Sequence, residues 1–245
     1  MANLYLDEQL AEVRSDASIT VSGDEGRHAV RVSRLRVGER TVVGNGRGLT
    51  AEGVVESVDR DSFTVRVEHV VEHERVTPQI VLVQALAKGD RDERAVEQAT
   101  EFGVDSIVPW QAERSVSRWD GDKGEKGRVK WARIAREASK QSLRSWVPEV
   151  RELVQLSTLV DLASQAHVIV LHPRGEARLS EWQLDDADSR DVYLVVGPEG
   201  GLSDRELDAL EAAGAHIFVL GETVLRTSSA GPAALAVLNT QLGRW

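Results

Sequence analysis

Between residues 40 and 71 the chain alternates apolar and polar positions with a period of two. This predicts strands over Arg40–Val43, Leu49–Val58 and Ser62–Val71, the last placing Phe63, Val65 and Val67 on one face. Gly44-Asn45-Gly46-Arg47-Gly48 is turn chemistry between two of them. Ser22 and Glu25 have the spacing of a capping box, and the pattern after them predicts a helix to about Leu35. A small antiparallel barrel is the natural product of these elements. After the charged stretch ending at Pro78 the pattern changes. Gln79–Leu86 is a continuous apolar run of the kind buried on both faces, followed by a helix over Asp90–Phe102 and a strand over Val104–Trp110. A long helix is predicted over Gly127–Ser145 and another over Ser157–Gln165. His167–Leu171, Val192–Val196 and Ile217–Leu220 read as strands. Ser203–Ala213 is a helix with a Ser203–Glu206 capping box, and Ala230–Leu242 a final helix with Pro232 in its first turn. Strands alternating with helices predict a parallel α/β sheet covered on both faces.

The 245 residues are 41% hydrophobic and 29% charged, enough apolar material for packed cores in one large domain or two small ones. No apolar window approaches the ~18 residues of a membrane span. The acidic N-terminal stretch lacks the blocks of a signal peptide, and there is no cysteine, so the reading is a cytoplasmic protein without zinc–thiolate or thiol chemistry. No metal site is expected. The net charge of −10 argues against a uniformly nucleic-acid-binding surface, but its distribution is uneven. Residues 114–151 carry +6, leaving −16 for the rest. At about 100° per residue, Arg133, Arg136, Lys140 and Arg144 fall on one side of the long helix, opposite Trp131, Ala135, Ala138 and Ser142. A second cluster is Arg27, His28, Arg31, Arg34 and Arg36. Both read either as solvated faces or as contacts to phosphate.

Three loops follow three late strands: His172-Pro173-Arg174-Gly175, Gly197-Pro198-Glu199-Gly200-Gly201 and Gly221 to Thr227. Ligands of parallel α/β sheets sit at such strand ends, and glycines there let a ligand approach the backbone. The middle loop lacks the Lys-Ser/Thr of a phosphate-binding loop, although the capped helix after it could accept an anion.

These stretches together resemble the RsmE family, uridine-N3 methyltransferases of 16S ribosomal RNA in the SPOUT superfamily. The resemblance rests on Arg27 to Arg36, Lys88-Gly89-Asp90 with Glu97 to Gly103, Glu137-Ala138 with Gln141 and Arg144, His172-Pro173-Arg174, Gly197 to Gly201, and Leu220-Gly221 with Leu225-Arg226-Thr227. It implies a PUA-like RNA-binding β-barrel over residues 1–74 and a SPOUT domain over 78–245, whose parallel sheet ends in a C-terminal trefoil knot. It also implies a homodimer acting on 16S rRNA of the small ribosomal subunit. S-adenosylmethionine would be bound by Leu171, His172, Pro173, Gly197, Pro198, Glu199, Gly200, Gly201, Leu220, Gly221, Leu225, Thr227 and Ser228. Where many relatives carry Glu and Thr, this chain has Ser228 and Ser229.

Methylation at N3 must remove a proton that is in place at neutral pH, or stabilise charge spreading to O2 and O4. Arg226 has the permanent charge for the second task, and Glu199 and His172 have the chemistry of a base. Two other readings fit the same residues: another SPOUT methyltransferase with a different RNA, and a non-catalytic RNA-binding or assembly factor. Cofactor binding separates the last from the enzymes.

Overall fold

The computed structural model describes residues 3–185 and 187–245, and its chain forms two compact units, Met1–Arg75 with Ser139–Val147, and Val76–Ala138 with Pro148–Trp245. The first contains β1 (Leu4–Leu6), β2 (Ser18–Val21), α1 (Gly23–Arg31), β3 (Arg40–Gly44), β4 (Leu49–Val58) and β5 (Phe63–Glu72). They form one curled sheet in the order β1-β3-β4-β5-β2. Phe63, Val65 and Val67 point inward on β5 and are wholly buried with Tyr5, Val43, Ala51 and Val55. Two register shifts in the β4–β5 ladder, at Glu52/Gly53 and Val55/Ser57, bend it. The sheet is mixed rather than antiparallel, because β1 pairs with β3 in parallel. The intervening β2 and α1 carry the chain across so that β3 runs in the direction of β1.

The helix α1 departs from expectation at both ends. Ser22 occupies the N-cap, but its side chain makes no capping bond. Glu25, the other half of the expected box, is instead ion-paired with Lys140 Nζ at 2.9 Å, where both side chains are about one-tenth exposed. A charge pair so shielded from water outcompetes a bond to a terminal N–H. The helix stops at Arg31. Leu35 N–H folds back to the Ala29 carbonyl through Arg34, whose φ of +55° no helix can accommodate.

The second unit holds β6 (Ile80–Ala85), α2 (Arg91–Glu101), β7 (Ser106–Trp110), α3 (Asp122–Gln141), β8 (Glu149–Val150), α4 (Leu156–Leu162), β9 (His167–Leu171), β10 (Ala177–Arg178), β11 (Val192–Val196), α5 (Asp204–Ala212), β12 (His216–Val219) and α6 (Thr227–Gln241). Its seven strands are all parallel, in the order β10-β12-β9-β11-β6-β7-β8. Alternate residues serve two cores. Ile80, Leu82, Ile107, Ile169 and Leu194 pack with Val96, Trp131, Leu235 and Leu238 of α2, α3 and α6. Val81, Val83, Val108, Val170 and Val195 pack with Leu159, Leu207 and Leu210 of α4 and α5. Strands buried on both faces account for the unbroken apolar runs.

Two helix boundaries move in ways that matter for the site. α3 ends at Gln141, where Leu143 takes a φ of +56° and Arg144 N–H turns back to the Ser139 carbonyl, so Arg144 lies off the helix. α6 begins at Thr227, three residues before the expected start, so Pro232 is its sixth residue rather than a member of its first turn. The early start follows from the bonds of Thr227 described below. Among the described residues no helix is long and apolar enough to cross a membrane, and no cluster of three potential metal ligands occurs.

Candidate active site

The C-terminal ends of β9, β11 and β12 converge. Leu171, His172 and Pro173, the Gly197–Gly201 loop, and Val224 to Thr227 wall a cavity of about 530 Å³. A second cleft of about 280 Å³ shares Leu171 to Pro173, Val224 and Leu225 with it and adds Leu220 and Gly221. The structure thus brings the expected cofactor-binding residues together, except Ser228, which lines neither cleft. Because α6 already starts at Thr227, the ~100° step per residue turns Ser228 away from the wall formed by Thr227 and Ala230.

Glycine is favoured in the middle loop for different reasons. A Cβ on Gly197 would lie 3.2 Å from Leu202, and one on Gly200 3.2 Å from the Arg114 side chain. Gly201 has space, with only His172 Nε2 at 3.8 Å, but its φ of +68° is strained for any side chain. Gly201→Val is therefore expected to damage the loop through backbone strain, roughly 1–3 kcal/mol, rather than through the volume of its side chain. Gly201→Asn, which tolerates this conformation better, should retain most cofactor affinity by calorimetric titration. Equal losses in both variants would show that side-chain volume decides.

The loop is held from beneath. Gln84, wholly buried at the end of β6, donates from Nε2 to Thr227 Oγ1 at 2.9 Å, and Thr227 Oγ1 donates to the Gly197 carbonyl at 2.8 Å. Among the described residues Gln84 Oε1 has no partner. From the rim, Arg114 Nη1 donates to the carbonyls of Gly200 and Leu202 at 3.2 and 3.1 Å. Gln84 was missed in the sequence, although an amide ending an apolar run Ile-Val-Leu-Val is a visible signal. Arg114 carried no signal beyond its charge.

Glu199 and His172 are constrained in ways that bear on proton transfer. Glu199 Oε1 accepts from Lys88 N–H at 3.1 Å and from Arg91 Nη1 at 2.6 Å. Desolvation pushes its carboxyl pKa up, but hydrogen bonds from its own backbone, Arg91 and Lys88 outweigh this and hold it below the ordinary value. His172 Nδ1 accepts Arg174 N–H at 3.1 Å, which leaves the proton of the neutral ring on Nε2. Burial lowers its pKa, reinforced by the positive Arg174 and Arg114 and opposed by Asp204. The anion-accepting role open to the start of α5 is taken internally. Ser203 and Glu206 complete their capping box, and Glu113 accepts from Ser203 Oγ at 2.8 Å.

The basic residues separate into different environments. Arg27 pairs with Asp24 and Arg31 with Asp61, while His28, Arg34 and Arg36 are exposed. The expected stripe on α3 is not assembled. Arg133 is exposed, Arg136 is half-buried beside Glu137 at 3.3 Å, Lys140 is largely shielded against Glu25, and Arg144 lies past the helix end. The exposed cations of that helix are Lys123, Lys126, Lys130 and Arg133.

Residues 74–239 match the family model of the RNA methyltransferase domain, and residues 21–68 that of the RNA methyltransferase PUA domain. A ribosomal RNA small subunit methyltransferase E from Mycobacterium bovis is 42% identical over 94% of this chain and 88% of its own. One from Bacillus subtilis is 27% identical over 98% and 97%. A Legionella pneumophila methyltransferase solved with bound SAM superposes with a TM-score of 0.84 at 31% identity, covering 98% of both chains. The curled sheet matched by the PUA model, followed along the chain by the parallel α/β unit matched by the RNA methyltransferase model, makes this an RNA methyltransferase. Within that class, the chain belongs to the ribosomal RNA small subunit methyltransferase E family.

Proposed function

We propose that this protein transfers a methyl group from S-adenosylmethionine to N3 of a uridine in 16S rRNA. The observation carrying this reading is the cavity, whose size and three converging loops suit a cofactor of nucleoside and amino-acid parts. Bound there, the sulfonium cofactor supplies an electrophilic methyl group. The chain must then align the acceptor nitrogen and stabilise the charge left on the base. Arg226 lines the cavity and has no carboxylate partner among the described residues, so its guanidinium is assigned to the uracil oxygens. Glu199 is assigned to holding the Lys88–Arg91 turn against the cofactor loop, not to accepting the proton. Its carboxylate is already stabilised as the anion, which makes it a poor base. His172 fails as a base for the reason of tautomer given above. The N3 proton accordingly leaves to water once its charge is compensated.

N3 lies on the pairing edge of the base, so the target must be unpaired. Arg34, Arg36 and Arg133 are assigned to RNA phosphates because they are exposed, with no ion pair among the described residues. Val224 is 82% exposed and Leu225 38%, beside the cavity, which supports an apolar contact with a second copy and hence a homodimer. The same reading places the protein in the cytoplasm and ties the cavity loops into the superfamily's trefoil knot. A traced backbone that pulls straight from both ends would remove the knot, and a monomer at working concentration in sedimentation would remove the dimer.

The decisive test supplies the purified chain with S-adenosylmethionine and either naked 16S rRNA or assembled small subunits lacking the modification. Mass analysis of the nucleosides should show 3-methyluridine, with the subunit as the better substrate. A different methylated nucleoside would reassign the target. Cofactor binding without transfer to either RNA would make the chain a binding factor.

A further inference from the structure

A third cavity, of about 430 Å³, is lined by Lys88, whose N–H bonds Glu199 of the cofactor cavity. Its walls are the turn from Ala87 into the start of α2, the segment of Val116, Ser117 and Trp119, and α3 at Gly127 and Lys130. One side is apolar. Val116 is 71% exposed there, and the Trp119 ring packs against Trp131 at 5.0 Å between centroids with the planes 67° apart. Gly127 makes this possible, since a Cβ would stand 2.4 Å from the Trp119 indole. The other side is polar, and its acids are already engaged. Asp92 accepts the N–H groups of Ala87 and Glu93 at 3.0 and 2.8 Å, and Glu93 takes Lys130 at 2.5 Å. Lys88 is exposed and has no ion pair among the described residues.

The cations of α3 reinforce this picture. Lys123, Lys126, Lys130 and Arg133 fall within an arc of about 80° on the helix, next to Gly127 and Lys130 at the cavity wall. A held aromatic ring, an exposed aliphatic group and a lysine, bordered by a cationic helix face, form the combination that receives one unstacked base with its phosphate outside.

We infer that this cavity is a subsite for an unpaired nucleotide of the RNA, adjoining the nucleotide that is methylated. The base would enter between Val116 and Trp119, with its phosphates facing Lys88 and the α3 cations. The methylated base itself must face the cofactor cavity, whose Glu199 and Arg91 are linked by hydrogen bonds to Lys88 of this one. The inference rests on the methyltransferase reading above.

The test uses the full chain with unmodified small subunits and three variants. Val116→Asp sets an anion at the mouth, Val116→Arg a cation at the same exposed position, and Ser117→Trp fills the space. If a flanking nucleotide binds there equally in ground and transition states, KM for RNA should rise about tenfold in Val116→Asp and Ser117→Trp. It should stay level or fall in Val116→Arg, while kcat and the Kd of S-adenosylmethionine hold. Photo-crosslinking of 5-bromouridine-substituted RNA to the unmodified protein should label the peptide containing Trp119. An unmodified protein that methylates no RNA defeats the functional reading itself. An active one whose variants all keep its KM defeats the subsite alone. A fall in kcat at constant KM would put the methylated base here and likewise overturn the proposal.

Discussion

Arg226→Ala is expected to lower kcat by roughly two to three orders of magnitude, the loss found when one donor to a developing anion is removed. The Kd of S-adenosylmethionine should change little, because a guanidinium at the mouth of the cavity offers nothing attractive to a sulfonium. Arg226 stands at the N-cap of α6 with extended backbone, and its side chain makes no capping bond, so its removal leaves the helix start intact. Arg226→Lys keeps the charge but loses the planar fork that can address a carbonyl oxygen with two donors. Its kcat should fall between those of the alanine variant and the unmodified protein. A variant that keeps kcat but loses cofactor affinity would move Arg226 from the reacting base to the cofactor.

The second large effect is expected from a substitution that changes almost no volume. Thr227→Val removes the hydroxyl that accepts from Gln84 and donates to the Gly197 carbonyl. The wholly buried Gln84 amide is left short of a partner, at roughly 1–3 kcal/mol for an orphaned group, and the Gly197 carbonyl loses its tie to α6. Gln84 retains only its bond to the Ala85 carbonyl, at 3.1 Å. For a cost of about 2 kcal/mol, Tm should fall by about 4–8 °C. The larger consequence is positional, because the hydroxyl ties the glycine loop to the first turn of α6 and both wall the cofactor cavity. Cofactor Kd should rise at least about tenfold, since shifts near 1 Å in such sites have effects of up to about a hundredfold. Thr227→Ser keeps the hydroxyl and should restore most of the affinity. Unchanged Kd in Thr227→Val would show that the loop holds its shape without this link.

Much of the local structure was readable along the chain. The alternation at Phe63, Val65 and Val67 marks a strand buried on one face, and the run from Ile80 to Ala85 one buried on both. Ser203 and Glu206 announce α5, and both bonds of their box are formed. Ser22 and Glu25 carry the same spacing and form no such bond, because Lys140 takes the Glu25 carboxylate. A sequence separation of 115 residues lies between those two partners, beyond the reach of any local pattern. The short strands β1, β2, β8 and β10 went unseen for a related reason. With four residues or fewer, they lack a period and are held by partners distant in sequence.

The basic residues divide in the same way. Helical spacing set Arg133, Arg136, Lys140 and Arg144 on one side, but spacing says nothing about where α3 stops or which acid waits beside Lys140. What the sequence by itself determined is the longer helices and strands, the two-faced character of the parallel strands and the three loops at their ends. Each depends on residues within one window, whose periodicity is the physics of a single helix or strand. Only the tertiary structure decided which cations remain exposed, that Ser228 leaves the cavity wall, and that Gln84 reaches Thr227 across 143 residues to hold the glycine loop. Those outcomes depend on burial and pairing between distant segments, where desolvation and hydrogen-bond satisfaction select partners that no local propensity specifies.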